Sequence, residues 1–423
     1  MKMILPMRRR WIVLFLTVCL AATLWMQRRR IPQFFRSPPS LASALTDIQA
    51  GRLLEAEATL NRYLSLHPDH RDANLVKARV ELDRPNPKPE EALKCLDRVR
   101  GQDPRLRATV LTLRGKALYM LNRFAEAEPC WHQALALHPT VAEAGWLLLQ
   151  LFYLQGRSDE SSELALRLAP SESDPVDRIR YLLELVREDV EKLSAAGIHQ
   201  WLEPVVKLNP DDVYSSRALG EALAKMGRGE EGVAMLRQLV DRDPRNLSSW
   251  TALLDALSNS GEIDSLAKEL ERVPASIAED PRFALYRGRV AQERGEIASA
   301  INDYEKALAV RPTDVKLLYR LGRCYRIAKR VEDAKKIEET EAALAATQKA
   351  LGEILKEADG IKNLGIIPAP ALYQRIADLR ERAGKREEAI AWHKQVIRDD
   401  PANLVSARTL SRLSAKPPSL NGH

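Results

Sequence analysis

The chain has 423 residues, of which 45% are hydrophobic, 29% charged and 5% aromatic. That length exceeds one compact core and would ordinarily divide into two or three domains, unless the chain is an array whose units pack only on their neighbours. The formal charge of +7 does not imply a nucleic-acid partner. Lys2, Arg8, Arg9, Arg10, Arg28, Arg29, Arg30 and Arg36 lie in residues 1–36 with no acid among them; taking these eight from 65 leaves 57 basic against 58 acidic residues in 37–423. The bulk therefore has no global field to attract a polyanion.

The first element, residues 1–30, reads as a basic-flanked anchor. Trp11–Met26 (WIVLFLTVCLAATLWM) carries no charge, lies between RRR and QRRR, and ends in a tryptophan near each interface. A helix of this length is slightly short for a hydrocarbon core of about 30 Å, a gap that local thinning closes. The alternative is a cleaved signal peptide, but Leu20-Ala21-Ala22 matches the small-x-small rule only fairly, and Val18 stands where a lipoprotein site wants a small residue. Four basic residues lie on each side, so the charge rule ties; the short N-terminal tail favours N-in, which places the remainder outside the cytoplasm. Residues 31–40 (IPQFFRSPPS) form a stiff Pro-rich spacer.

From residue 41 onward the sequence repeats. Prolines at 68, 104, 139, 210, 244, 312 and 401 each close an amphipathic stretch, at spacings near 34 residues or its multiples. Seventeen residues before the proline stand Gly51, Asn122, Gly227, Gly295 and Gly384, where a left-handed turn residue is needed. Twelve before it stand Ala56, Ala92, Ala127, Gly232, Ala300 and Ala389, and twenty-four before it Ala44, Gly115, Gly220, Gly288 and Ala377. Small residues at both offsets let two helices approach closely. Proline then stops the second helix. Helix formers dominate throughout, so the fold class is all-α.

These offsets resemble the tetratricopeptide repeat (TPR). The best unit runs from Ala284 to Pro312 and matches at Gly288, Gly295, Ala300, Tyr304, Ala307 and Pro312; the next adds Leu318, Leu321, Gly322, Tyr325 and Ala334. The resemblance covers roughly residues 40–412, about ten units, with degenerate ones near 176–210 and 247–280. It implies a right-handed superhelical solenoid whose concave face, lined by the first helix of each pair, binds proteins or peptides. It is also similar to bacterial inner-membrane-anchored TPR proteins of envelope biogenesis. The expected layout is an array over 41–334, an extended helix insertion over 335–365, a last repeat and capping helix over 366–415, and a disordered tail over 416–423. The insertion, with Ile337, Leu344 and Leu351 seven apart, is expected to jut from the array or bend back on it.

Two groups of residues are expected to face the groove. Thr112, Lys116, Tyr119, Trp146, Gln150 and Tyr153 suit an apolar peptide side chain, against the plainer reading that Trp146 in WLLLQLFYL fills core. Arg282, Tyr286, Arg289, Lys316, Tyr319, Arg320, Arg323 and Arg326 form an Arg-rich stripe suited to an acidic peptide or C-terminal carboxylate, against the plainer reading of a solvated face paired with nearby acids. The stripe departs from the two-carboxylate clamp of chaperone-binding TPRs, whose Lys and Asn slots hold Leu285 and Arg289, then Tyr319 and Arg323.

No motif carries chemistry. H-E-x-x-H, G-x-S-x-G and phosphate-binding glycine loops are absent from the sequence, and Glu90-Glu91, Glu230-Glu231 and Glu387-Glu388 suit helix N-termini. His67 and His138 share a pre-proline slot rather than a metal site. Cys95, Cys130 and Cys324 form no C-x-x-C pair and read as small core residues. The expectation is a non-enzymatic scaffold or adaptor without cofactor, metal, nucleic acid or small-molecule substrate. The alternative is an assembly or quality-control factor that grips client proteins at the membrane.

Overall fold

The computed structural model describes residues 40–363 and 369–415. Trp11–Met26, the spacer and the 416–423 tail lie outside the described residues. No helix among the described residues is long and apolar enough to cross a membrane. The described residues are all-α, without a strand, and divide into two compact units between Arg100 and Gly101.

The first unit holds two hairpins: α1 (Leu41–Gln49) with α2 (Leu53–Leu66), and α3 (Arg71–Asp83) with α4 (Pro89–Leu96). Ala44 and Ala56 meet at the first crossing with no exposed surface, and Leu60, Leu64, Ala73 and Val80 extend the core. Pro104 departs from the expected rule. Helix α4 has already ended at Leu96, and Pro104 opens the following helix, where Asp103 caps it and proline's missing N–H costs nothing.

The second unit runs α5 (Pro104–Met120), α6 (Phe124–Leu137), α7 (Ala142–Leu154), α8 (Ser158–Leu168), α9 (Pro175–Val190), α10 (Ala195–Leu208), α11 (Val213–Lys225), α12 (Gly229–Arg242), α13 (Leu247–Ser260), α14 (Ile263–Arg272), α15 (Ala284–Glu293), α16 (Ile297–Val310), α17 (Val315–Ile327), α18 (Val331–Asn363), α19 (Pro370–Arg382), α20 (Arg386–Asp399) and α21 (Leu404–Ser414). Successive helices pair as hairpins, with α21 laid on α20. The turn glycines take the left-handed conformation the repeat demands, Gly51 at φ 73° and Gly227 at φ 82°, and Asn122 does so at φ 60°. Gly156, Gly261 and Lys329 serve the same purpose at offsets the proline count passes over.

The small positions mark close helix crossings. A Cβ on Gly232 would stand 2.5 Å from the Gly220 carbonyl oxygen and 2.8 Å from the Ala224 nitrogen, both backbone atoms that cannot swing aside. We therefore expect Gly232→Ala to destabilise the chain by about 1–2 kcal/mol, because overpacking outweighs alanine's better helix propensity. Gly229→Ala, whose Cβ meets nothing within 4 Å, is expected to be neutral or slightly stabilising. Urea midpoints of the two variants check the contrast.

The degenerate stretch near 176–210 is where the array changes course. Helix α9 does not pair with α10. It packs on α8, on the second half of α18 and on α20, so the chain from α9 to α20 returns on itself. The expected insertion, 335–365, thus falls within and just past one 33-residue helix, Val331–Asn363, about 50 Å long, that bends back on the array. Its N-terminal part pairs with α17 through Ala334 and Ile337, and its later Leu351, Ile354, Leu355 and Ala358 are buried. Polar contacts fix the seam. Arg187 reaches Asp359 at 2.9 Å, Gln348 donates to the Asp189 carbonyl at 3.1 Å, Arg178 donates to Gln395 at 2.9 Å, and Lys385 pairs with Asp189 at 2.7 Å. Arg380, with no exposed surface, reaches from α19 to Asp189 and to the Leu185 carbonyl.

Candidate binding groove

Of the predicted groove residues, most are engaged within the chain. Tyr286 is corrected outright: it is fully buried, packs among Trp250, Leu253, Leu254 and Phe283, and its hydroxyl donates to the Thr251 carbonyl at 3.1 Å. It faces inward because it stands two residues before the crossing Gly288, the offset at which Leu113 before Gly115 and Ala218 before Gly220 are buried as well. Arg282 is paired with Asp280 at 2.8 Å, Arg289 with Glu293, and Arg326 with Glu338 at 2.6 Å.

The aromatic group is largely internal as well. Tyr119 stacks on Phe124 with ring centroids 4.6 Å apart, and Thr112 is buried with its hydroxyl on the Ala108 carbonyl. Trp146 stacks on Tyr181 at 4.6 Å, and the Arg180 guanidinium lies over its ring at 5.1 Å. Tyr153 donates to the Glu191 carbonyl, and Lys116 lies 3.5 Å from Glu143. Gln150 remains exposed. Cys95 and Cys324 are buried, whereas Cys130 is only half-buried.

Four residues of the basic stripe keep free surface. Tyr319 is 51% exposed, Arg323 is exposed and makes no hydrogen bond or ion pair among the described residues, and Lys316 touches Asn259 only at 3.4 Å. Arg320 is half-buried, close to the Tyr304 hydroxyl. Lys316 and Arg320 line a cavity of about 650 Å³ between α11, α13 and α17. Arg311, at the end of α16, lines it as well.

The cavity is polarised. Glu221 of α11 and Asp255 of α13 also line it, and burial raises both carboxyls above their ordinary range. Both are half-buried, and Glu221 stands 3.9 Å from Arg217; a partly desolvated acid gains further from an incoming cation, which favours the charged form. The cations on α17 offer the complementary surface for a carboxylate, held through a fixed guanidinium fork at Arg320. The arrangement suits an extended segment that carries charges of both signs. Among the described residues no group of three or more His, Cys, Asp or Glu side chains could hold a metal ion.

Glu221 and Asp255 were missed from sequence. The one available signal was their position on first helices, Glu221 one residue past the small Gly220 and Asp255 at the corresponding turn of the next unit.

Tetratricopeptide-repeat family models match residues 41–105 and 112–177 in one case and 240–400 in another. Cellulose synthase operon protein C of Xanthomonas axonopodis pv. citri (strain 306) is 26% identical over 229 residues, which is 51% of this chain and 15% of that protein. The chain thus spans a small part of the curated relative it matches. Among solved structures, MamA aligns over 37% of this chain and 91% of its own at 21% identity with a TM-score of 0.30. The APC/C hetero-tetramer Cut9-Hcn1 aligns over 88% and 89% at 14% identity with a TM-score of 0.33. A tetratricopeptide repeat protein from Parabacteroides merdae ATCC 43184 aligns over 73% and 99% at 9% identity with a TM-score of 0.31. With repeat models covering both units and the turn, contact and stop residues recurring at fixed offsets, the chain belongs to the tetratricopeptide-repeat superfamily.

Proposed function

We propose that this protein is a membrane-tethered scaffold that captures an extended, charged segment of a partner protein in the groove between α11 and α17. The observation that carries this reading is the set of charges lining the 650 Å³ cavity, Arg311, Lys316 and the half-buried Arg320 together with Glu221 and Asp255. A guanidinium drawn partly out of water gains from a ligand carboxylate, which its fork of N–H donors can hold. Exposed Tyr319 and Arg323 extend the surface along the same helix.

The tether is the apolar stretch Trp11–Met26, and the array stands on the extracytoplasmic side. The relative named for a cellulose synthase operon favours a partner in an envelope assembly over a broad range of unfolded clients.

Full-length protein in lipid nanodiscs, presented with a display library of short peptides, should select sequences with adjacent acidic and basic residues. Charge reversal in Arg320→Glu with Arg323→Glu should cut capture at least about tenfold, a loss of roughly 1.4 kcal/mol or more, and flatten its salt dependence. Equal capture by the reversed variant would sink the proposal. Retention of many unrelated unfolded proteins with no peptide preference would favour quality control instead.

A further inference from the structure

The seam between α9 and α20 encloses a second cavity, of about 480 Å³, unrelated to the groove. Its walls are apolar: Leu166 of α8, Leu182 of α9, and Ile390, Ala391 and Ile397 of α20. The volume and lining fall in the range of small-molecule sites, about 300–1,000 Å³ with few polar groups. Arg178, Lys394 and Arg398 also line it, against one acid, Glu387.

Arg178 decides the ligand's chemistry. Only 7% exposed, it spends its hydrogen bonds on neutral acceptors, the Gln395 side-chain oxygen at 2.9 Å and the Glu172 backbone carbonyl at 2.8 Å. No carboxylate stands within ion-pair distance of it among the described residues, and Gln395 is held in place by donating in turn to Asp399 at 2.6 Å. Burial, and then the charge of Arg398, depress its affinity for its own proton. A buried guanidinium in that state is stabilised by an anion, and the walls beside it favour an aliphatic chain.

We infer that this cleft binds an aliphatic carboxylate, the free acid of a medium-length acyl chain, with the carboxylate at Arg178 and Arg398 and the chain between Leu182 and Ile390. Because α9 supplies one wall and α20 the other, the bound acid spans the seam and holds it shut. The ligand binds N and stabilises it by mass action.

Photolabelling of the full-length protein in nanodiscs tests this, with a decanoate bearing a diazirine at its chain end. Label is expected in peptides spanning 166–182 and 387–398, competed by excess decanoate. Ala391→Trp, which fills the cleft, should lower labelling at least about tenfold. So should Lys394→Glu with Arg398→Glu, which alters only exposed side chains of α20 and leaves the core intact. Three results would overturn the inference: no label at these peptides, label unchanged in both variants, or equal competition by decanol, which shares the chain but lacks the charge. Label obtained only with a diazirine phospholipid would overturn it too.

Discussion

Arg380→Ala is expected to destabilise the protein by about 3–5 kcal/mol, the range for removing one member of a buried ion cluster. Arg380 has no exposed surface and serves three partners at the seam. It donates to Asp189 and to the Leu185 carbonyl, and its Nε stands 3.0 Å from Glu388, not aligned as a hydrogen bond. Burial works against ionisation of Asp189, but the charges of Arg380 and Lys385 outweigh it and hold the carboxyl below its ordinary value. Glu388 is raised by burial, and neighbouring Glu188 is pushed up to about 7 by burial. Without Arg380, Asp189 and Glu388 keep Lys385 as their one paired cation among the described residues. Hydrogen exchange separates this from a general loss of packing. Amides of α9 and the second half of α18 should lose protection first, while those of α5 and α6 keep theirs. Uniform loss across the unit would contradict the seam's role. Arg380→Met, which restores apolar volume, should still lose most of the stability, because the buried carboxylates remain.

The hairpins were legible because each depends on residues close in sequence. A left-handed Gly or Asn, a small residue at the crossing and a proline two residues past the helix end are local requirements, and they recur at fixed offsets whatever surrounds them. Another such signal went unread. The residue two past the proline caps the next helix: Asp212, Asn246, Asp314 and Asn403 each accept from the backbone N–H three residues on, as does His70.

The seam was not legible, because it joins Asp189 to Arg380 across 191 positions and no periodicity spans that distance. Its one trace was negative. Repeat residues fail near 176–210, where α9 serves α18 and α20 instead of its sequence neighbour. Tyr286 shows the limit within a repeat. Tyr286 lies two residues before the crossing Gly288, whereas the exposed Tyr319 lies three before Gly322, and one residue of difference turns a helical side chain by about 100°, here into the core. The groove's two acids were invisible for a related reason: burial, which turns a solvated Glu into a binding group, is a property of the stacked array and not of the helix that carries Glu221.

Arg157→Ala is expected to cost about 3–5 kcal/mol as well, at a junction the repeat pattern gives no hint of. Arg157 stands where α7 turns into α8 and its side chain is 3% exposed. It reaches Glu128 of α6 through both guanidinium nitrogens at 2.8 Å, and Glu160 of its own helix. Its plane lies against Phe152 at 4.2 Å and against Tyr214 of α11 at 3.7 Å. One side chain thereby ties three hairpins of the second unit, α5–α6, α7–α8 and α11–α12, and neither lysine nor methionine reproduces both the fork and the stack. Glu128 gives the junction a pH signature. Burial opposes its ionisation, but hydrogen bonds from His132 and Arg157 and the guanidinium's charge outweigh that and hold the carboxyl down at about 2, against an ordinary 4.5. A depressed acid stabilises the fold above its unfolded value and loses that contribution as pH falls from about 4.5 towards 2. The full interval corresponds to roughly 3 kcal/mol, and partial exposure of Glu128 reduces it to about 1–2 kcal/mol. Urea midpoints measured between pH 6 and pH 3 should therefore fall more steeply for the native chain than for Glu128→Gln, which is weaker at pH 6 and converges with it near pH 2. Parallel curves would show that Arg157 anchors the junction by stacking alone, and Arg157→Lys would then separate the aromatic contribution from the ionic one.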